Sequence, residues 1–451
     1  MKTSFLPSFA IFVLFLIGPT SGFADPSQNW SHWRGHDGNG VSTTATPPTE
    51  WSETKNIKWK VAIPGRGSGS PVIWEDSVFV VSAVSDEAAP SAPPSSSGKG
   101  GKGGKKGKGK GGRPGAQLTK LSFQLFCFDR ESGELKWNQT AVEAVPHEGT
   151  HQTNGFASAS PCTDGERVYA HFGSRGLFCY DMNGVLQWSR TDFGKMETRA
   201  TFGEGSSPTL VGEMILVPWD HEGPSALYAL DKKSGETIWK TDRDEPTCWA
   251  TPLVVSSDDG KRQVIMNGQN KARAYDLETG EELWRCGGQT QRPVASPVHT
   301  NGITLIGSGF RGEFMGAFKL DGRGDIEGTK HVVWTTGDDT PDIASPMLSE
   351  GRIYYHKGKS GILSCLNAET GEIHFGPERI PGVTSTYASP IAAGGHVYLT
   401  DRGGAITVIK DAPTLEIVAT NSLGEGIDAS PAPVGNQLFI RGASHLFCIA
   451  E

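Results

Sequence analysis

The sequence predicts an all-β chain built as a closed ring of four-stranded units. Three observations carry that prediction: a turn motif that recurs along the chain, a Ser/Thr-Pro mark with a period near 44 residues, and an N-terminal strand that supplies what the last unit lacks.

The turn motif reads DLETGEELW at Asp276–Trp284, DRESGELKW at Asp129–Trp137, DKKSGETIW at Asp231–Trp239 and NAETGEIHF at Asn367–Phe375. A shorter copy, DMNGVLQW, spans Asp181–Trp188. Each follows a short alternating apolar run, which makes it a hairpin corner. Asp or Asn bonds its side chain to amides further along the turn, and Gly accepts the positive φ needed before the next strand. The Trp then lies on the outgoing strand.

The second mark opens an apolar strand eight times: Ser70-Pro71, Ser160-Pro161, Ser207-Pro208, Thr251-Pro252, Ser296-Pro297, Ser345-Pro346, Ser389-Pro390 and Ser430-Pro431. Successive prolines are 90, 47, 44, 45, 49, 44 and 41 residues apart. A period near 44 fits four short strands with their turns, which is one propeller blade. The long first spacing contains a Pro/Ser then Gly/Lys tract at 85–117 that cannot bury apolar area. It is expected to be a disordered loop inserted in the first blade.

Closure is the third observation. After Ser430 the chain has room for three strands, and the missing fourth is present near the N-terminus as IKWKVAIP around Trp59. Trp59, Trp137, Trp188, Trp239, Trp284 and Trp334, with Phe375 and Val418, give eight fourth-strand positions. An eight-bladed β-propeller over residues 57–451 follows, closed by an N-terminal strand that removes the open edge.

Residues 1–24 read as a secretory signal peptide, with Lys2, an apolar run and small residues before the mature start. Residues 25–56 are irregular and Trp-rich, and are expected to form a cap or clasp. The first Cys is Cys127, so no lipid-anchored mature N-terminus is expected, and no second segment is long enough to span a bilayer. Four of the seven Cys (Cys127, Cys179, Cys365 and Cys448) share one repeat position and read as small buried strand residues. Pairing among Cys162, Cys248 and Cys286 is left open. The net charge is −8, yet the 88–117 tract carries six Lys, Arg113 and no acid. That tract has no aromatic residues for base stacking, so specific nucleic-acid binding is not expected.

The Asp-x-x-[Ser/Thr]-Gly-x-x-Trp turn, the Ser-Pro strand starts and Trp33-Arg34-Gly35 resemble the pyrroloquinoline quinone (PQQ)-like propeller repeats, over about residues 30–451. That family includes quinone-dependent alcohol dehydrogenases and a non-catalytic propeller lipoprotein of the outer-membrane barrel-assembly machinery. The resemblance therefore implies an architecture and leaves function to the site. For the catalytic branch it implies PQQ with calcium, held beside an adjacent Cys-Cys pair. This sequence has no Cys-Cys and no C-x-x-C-H.

Function is sought on the face shared by the inter-blade loops and the turns between second and third strands. Two adjacent inter-blade loops are long, Trp137 to Pro161 and Trp188 to Pro208, and long loops on a rigid scaffold are where binding concentrates. The candidate rim residues are Arg66, His147, His151, Arg175, Arg199, His221, Arg292, Arg311, Arg402 and Arg441. Arg converging on a funnel suits a carboxylate, sulfate or phosphate. His147-Glu148-Gly149-Thr150-His151 matches a zinc-protease string, but Pro146 and Gly149 place it in a loop rather than a helix. DGRGDIEG from Asp321 lacks the third- and sixth-position residues of a calcium loop, so no metal site is expected. The reading is an exported, non-catalytic binding or scaffold propeller, periplasmic or extracellular. Its partner is another envelope protein, an anionic small molecule or a glycan. The alternative is a PQQ-dependent oxidoreductase acting on an alcohol or sugar.

Overall fold

Eight antiparallel sheets succeed one another along the chain, as the repeat period requires. The structure is a computed structural model that describes residues 26–85, 118–257 and 259–451. Residues 1–24, expected to be a signal peptide, and nearly all of the 85–117 tract, expected to be a disordered loop, lie outside those residues. Blade 1 comprises Val72–Trp74, Ser77–Ser85, Leu121–Asp129 and Leu135–Ala144. Blades 2 to 7 follow within 162–190, 209–243, 253–286, 298–336, 347–379 and 391–422. Blade 8 takes Ala432–Val434, Gln437–Arg441 and His445–Ile449 from the C-terminus, and Ile57–Ala62 from the N-terminus. Among the described residues the helical content is three single turns of 3-10 helix.

The turn motif works as its residues predict. Asp129 Oδ1 accepts from the amides of Glu131 and Ser132 at 3.0 and 2.8 Å, and Gly133 has φ 74°. The same Gly has a second role: a Cβ there would lie 2.7 Å from the Trp59 ring of the preceding blade, whose Nε1 donates to Arg130 O at 3.0 Å. Trp137 meets Gly184 in this way, Trp188 Gly235, Trp239 Gly280, and Trp334 Gly371. These five rings thus seat on the corner of the next blade, whereas Trp284 of blade 4 donates instead to Gln263 Oε1 of its own blade at 3.3 Å.

Opposite each ring sits the small-residue slot: Cys448 faces Trp59, Cys127 Trp137, Cys179 Trp188 and Ala229 Trp239. All seven Cys are free and buried. By register the blade 7 equivalent is Ala419, facing Val408, one residue beyond Val418. Blade 8 offers no Gly corner there, so no ring is needed.

Around the axis the Ser/Thr-Pro residues form a closed ring. Each main-chain N–H donates to the hydroxyl of the next blade's mark at 2.9–3.2 Å, and the ring closes where Ser430 N donates to Ser70 Oγ at 3.0 Å.

On one side of this ring the channel is filled by residues 29–46, which touch every blade. Trp30 exchanges two main-chain bonds with Ile73, and Ser31 O accepts from Thr163 N. His32 lies by Pro208 and Gly38 against Leu253. The Asn39 side chain bonds both main-chain groups of His299 at 2.9 Å, and Asn39 O accepts from Leu348 N. Val41–Ser42 extends blade 7 in parallel, and Thr46 N donates to Gly435 O at 2.7 Å. Arg34, 2% exposed, donates to the carbonyls of Asn39, Pro346 and Pro390. Gly40 is needed beside it, because a Cβ would lie 2.6 Å from the guanidinium.

The calcium-like stretch has a structural use. Gly324–Asp325 adds a parallel pairing to the outer edge of blade 4, and Asp325 reaches Lys271 at 3.2 Å and Arg285 at 3.7 Å. It covers an edge strand, which otherwise invites pairing with another chain.

Candidate functional site: the axial funnel

Above the hydroxyl ring the channel opens into a cavity of about 340 Å³. Trp33, carried by the N-terminal segment, forms its floor together with the eight ring residues. Phe202, Trp249, Phe310 and Tyr387 stand around it, with His151, Arg292, Lys359 and Asp428 between them. Its volume lies at the lower end of small-molecule sites.

One wall is built by the two long loops, which are bonded to each other. His147 Nε2 lies 2.6 Å from Met196 O, and the Glu148 carboxylate accepts from the Thr198 amide at 3.1 Å and from its hydroxyl. His151 N and Asn154 Nδ2 both donate to Phe202 O, at 3.2 and 2.9 Å. Trp249 Nε1 donates to Gly203 O at 2.7 Å, and the Phe202 and Trp249 rings stack with centroids 6.4 Å apart. The zinc-protease-like string therefore clamps one loop to the other. Ala200 and Thr201, next to Phe202, hold φ of 52° and 55°, and Arg292 holds 47°. Such strain in non-Gly residues gathers where a site's geometry is imposed by its surroundings.

The opposite wall carries charge. The Arg292 guanidinium lies 3.4 Å over the Phe310 ring and bonds Asp342 Oδ2 at 3.2 Å. Lys359 Nζ approaches the same oxygen at 3.7 Å. Arg402 stacks 3.8 Å over Tyr387 and grips Asp428 at 2.6 and 3.1 Å. Burial pushes the Arg292 guanidinium below its ordinary range, while the hydrogen bond to Asp428 raises that of Arg402. His151 is held below its usual value by burial first, then by Lys359, Arg292 and Arg402. It bonds Thr153 Oγ1 at 2.8 Å, which in turn meets the Tyr387 hydroxyl at 3.1 Å.

Of the ten rim candidates, His151 and Arg292 line the cavity, and Arg402 holds two residues that do. Arg311 is exposed, with its guanidinium 5.2 Å from the Phe310 centroid. Arg199 bonds Gln269 at 2.9 Å. The others serve the frame. Arg175 is buried against Glu204 at 2.6 Å, and Arg441 is buried and donates to Val81 O of blade 1. His221 accepts from the Glu197 and Gly223 amides at 3.2 Å. His147 belongs to the loop clamp, and Arg66 is exposed and pairs through its main chain with Ala83. Sequence reasoning missed Trp33, Phe202, Trp249, Phe310, Lys359 and the hydroxyls of the Ser/Thr-Pro marks. Trp249 and Phe202 precede such a mark by two and five residues, a signal that the turn-based reading did not use.

The residues do not fit a calcium-assisted quinone centre. No two Cys are adjacent, and Asp342 and Asp428 are each engaged by a guanidinium. Among the described residues no three His, Cys, Asp or Glu converge on one point. No described helix is long and apolar enough to cross a membrane.

Residues 110–221 match the family model described as outer membrane protein assembly factor BamB. Among solved structures, a europium-containing methanol dehydrogenase superposes with a TM-score of 0.61 at 11% identity, covering 94% of this chain and 98% of its own. The quinohemoprotein alcohol dehydrogenase from Comamonas testosteroni gives 0.58 at 10% identity, with 94% and 81% covered. The computationally designed Ika8 protein gives 0.51 at 11% identity, with 75% and 94% covered. No protein among those with curated descriptions matches. The family match covers residues 110–221, and at these identities the structural likeness shows the β-propeller fold alone.

Proposed function

We propose that the protein is an exported, non-catalytic binding propeller that takes a small ligand with apolar faces into the axial funnel. The observation that carries this reading is the cavity itself: about 340 Å³, floored by Trp33 and walled by Phe202, Trp249, Phe310 and Tyr387. Rigid aromatic walls with a few fixed polar groups characterise small-molecule sites. The leader-like segment 1–24 supports export, and the family match over 110–221 supports a place in the cell envelope. That the sequence has no adjacent Cys pair, and that no three His, Cys, Asp or Glu converge among the described residues, supports binding without turnover.

The test uses the chain from residue 25 onwards and reads tryptophan fluorescence and thermal melting against a panel of small aromatic and cyclic compounds. A binder is expected to quench fluorescence and raise Tm. Trp249→Ala is expected to weaken it by about tenfold, since an aromatic contact contributes roughly 1 kcal/mol beyond its buried area. Incubation with PQQ and calcium is expected to yield no reduction of an artificial dye by alcohols. Dye reduction, or a panel without a single binder, overturns the reading.

A further inference from the structure

We propose that the floor of the funnel is an acid-group subsite, in which the hydroxyl ring, the Trp33 indole N–H and Arg292 receive the carboxylate of a ligand whose apolar body lies between the aromatic walls. This rests on the binding reading above and specifies its ligand.

The argument begins with what the ring has used and what it has left. Each of the eight hydroxyls is on a residue at most 6% exposed, and each oxygen already accepts the amide of the preceding blade's mark. A hydroxyl has one proton to donate. Among the described residues none of these protons has an acceptor. All eight residues line the cavity.

Two further donors are stranded there. Trp33 Nε1 and Arg292 Nε are buried without a partner, and the Arg292 side chain is 6% exposed. Asp342 Oδ1 is also stranded, but Asp342 does not line the cavity, where Asp428 is the one acidic residue and is held by Arg402. Buried donors left unpaired are costly and rare. A carboxylate brings only acceptors, with about four lone-pair sites on two oxygens. A polyol or water brings as many donors as acceptors and leaves the imbalance in place.

Charge points the same way. Arg402 is matched by Asp428, whereas Arg292 and Lys359, which both line the cavity, share the single carboxylate of Asp342. Hydrogen bonds to a charged acceptor are the strong ones. The Phe202–Trp249 stack and the rings of Phe310 and Tyr387 stand around the cavity, where they fit an apolar body entering acid end first.

The test compares 2-naphthoate with 2-naphthamide, which share a ring system and differ in charge and in donor count, by calorimetric titration at pH 7.5. Naphthoate is expected to bind at least about tenfold more tightly. Trp33→Phe keeps an aromatic floor and removes one N–H that no protein group uses, so the fold is expected to be unaffected. It is expected to weaken naphthoate severalfold and naphthamide less, because a charged acceptor loses more than an amide carbonyl when the N–H is removed, so the naphthoate advantage narrows. Ser345→Ala is expected to do the same; because it also strips the acceptor from Ser296 N, its folding is checked by circular dichroism, and Trp33→Phe decides if it fails to fold. Equal binding of the two probes, an unchanged preference in Trp33→Phe, or displacement of naphthoate by myo-inositol overturns the acid subsite while the funnel remains a binding site. If neither probe binds, the acid subsite falls, and the binding reading falls only if no compound of the panel binds either.

Discussion

His356 shows what a propeller interior does to an ionisable side chain. It is 1% exposed on the second strand of blade 6, and burial pushes its pKa from 6.5 down to about 4. The sign of the consequence is fixed. Above pH 6.5 the imidazole is neutral in both the native and unfolded chains, so it contributes no pH dependence. Between 6.5 and about 4 the unfolded chain binds a proton that the native state refuses, and stability falls by about 1.4 kcal/mol for each pH unit. Below about 4 both states are protonated and the loss is complete. Carboxylate titration is common to wild type and variant, so the comparison with His356→Leu isolates this group. Urea unfolding at pH 7.5, 5.5 and 4.5 is expected to show the variant gaining on wild type as pH falls. A difference independent of pH counts against a buried neutral imidazole. His32, pushed to about 3 by burial and by Arg34, follows the same rule in the channel segment.

At the scale of the element, two segments show what a sequence discloses. The Asp-x-x-Thr-Gly-x-x-Trp corner was readable in full as a turn, because its Asp and Gly are dictated locally. Its pairing with the preceding blade's Trp was not readable, since that contact joins residues some forty positions apart. The segment 29–46 was readable only as a Trp-rich irregular stretch. Its bonds to the inner strands are largely main-chain, and main-chain bonds leave no side-chain pattern. Arg34 is the exception. It is fully buried with no acid beside it, burial lowers its pKa to about 9, and its charge is carried by three carbonyls from two blades and its own loop. Arg34→Met is expected to cost on the order of 3 kcal/mol, the scale of lost charge-assisted hydrogen bonds. Limited proteolysis is expected to cut within 26–56 first, and ligand quenching to weaken because Trp33 leaves the floor. Arg34→Lys is expected not to rescue, since an ammonium cannot hold three diverging carbonyls. Full resistance to proteolysis in Arg34→Met counts against this anchor.

For the whole molecule, period and closure were legible because every blade restates them, whereas the funnel lies where the blades disagree. Phe202, Trp249, Phe310 and Tyr387 come from four separate loops, and only the closed ring brings them together. Ring closure is therefore the condition for the site, and it depends on six residues. Ile57–Ala62 pairs with His445–Ile449, Trp59 packs on the Gly133 corner of blade 1, and Ile63 N continues the pairing to Ser444 O. Without this strand blade 8 has three strands, His445–Ile449 becomes a free edge, and the corner at Asp129–Trp137 loses its ring. A free, apolar edge pairs with another chain. A chain starting at residue 64 is expected to elute as dimers and larger species, to unfold without a single cooperative transition, and to bind no funnel ligand. A separate peptide of residues 26–63 is expected to restore a monomer in size-exclusion chromatography, because the register of Trp59 opposite Cys448 is specified by the bulge as well as by covalent connection. Binding is expected to return with it, since the same peptide carries Trp33. A monomeric, cooperative chain lacking residues 26–63 counts against closure by this strand, and a restored monomer that still fails to bind separates the ring from the floor.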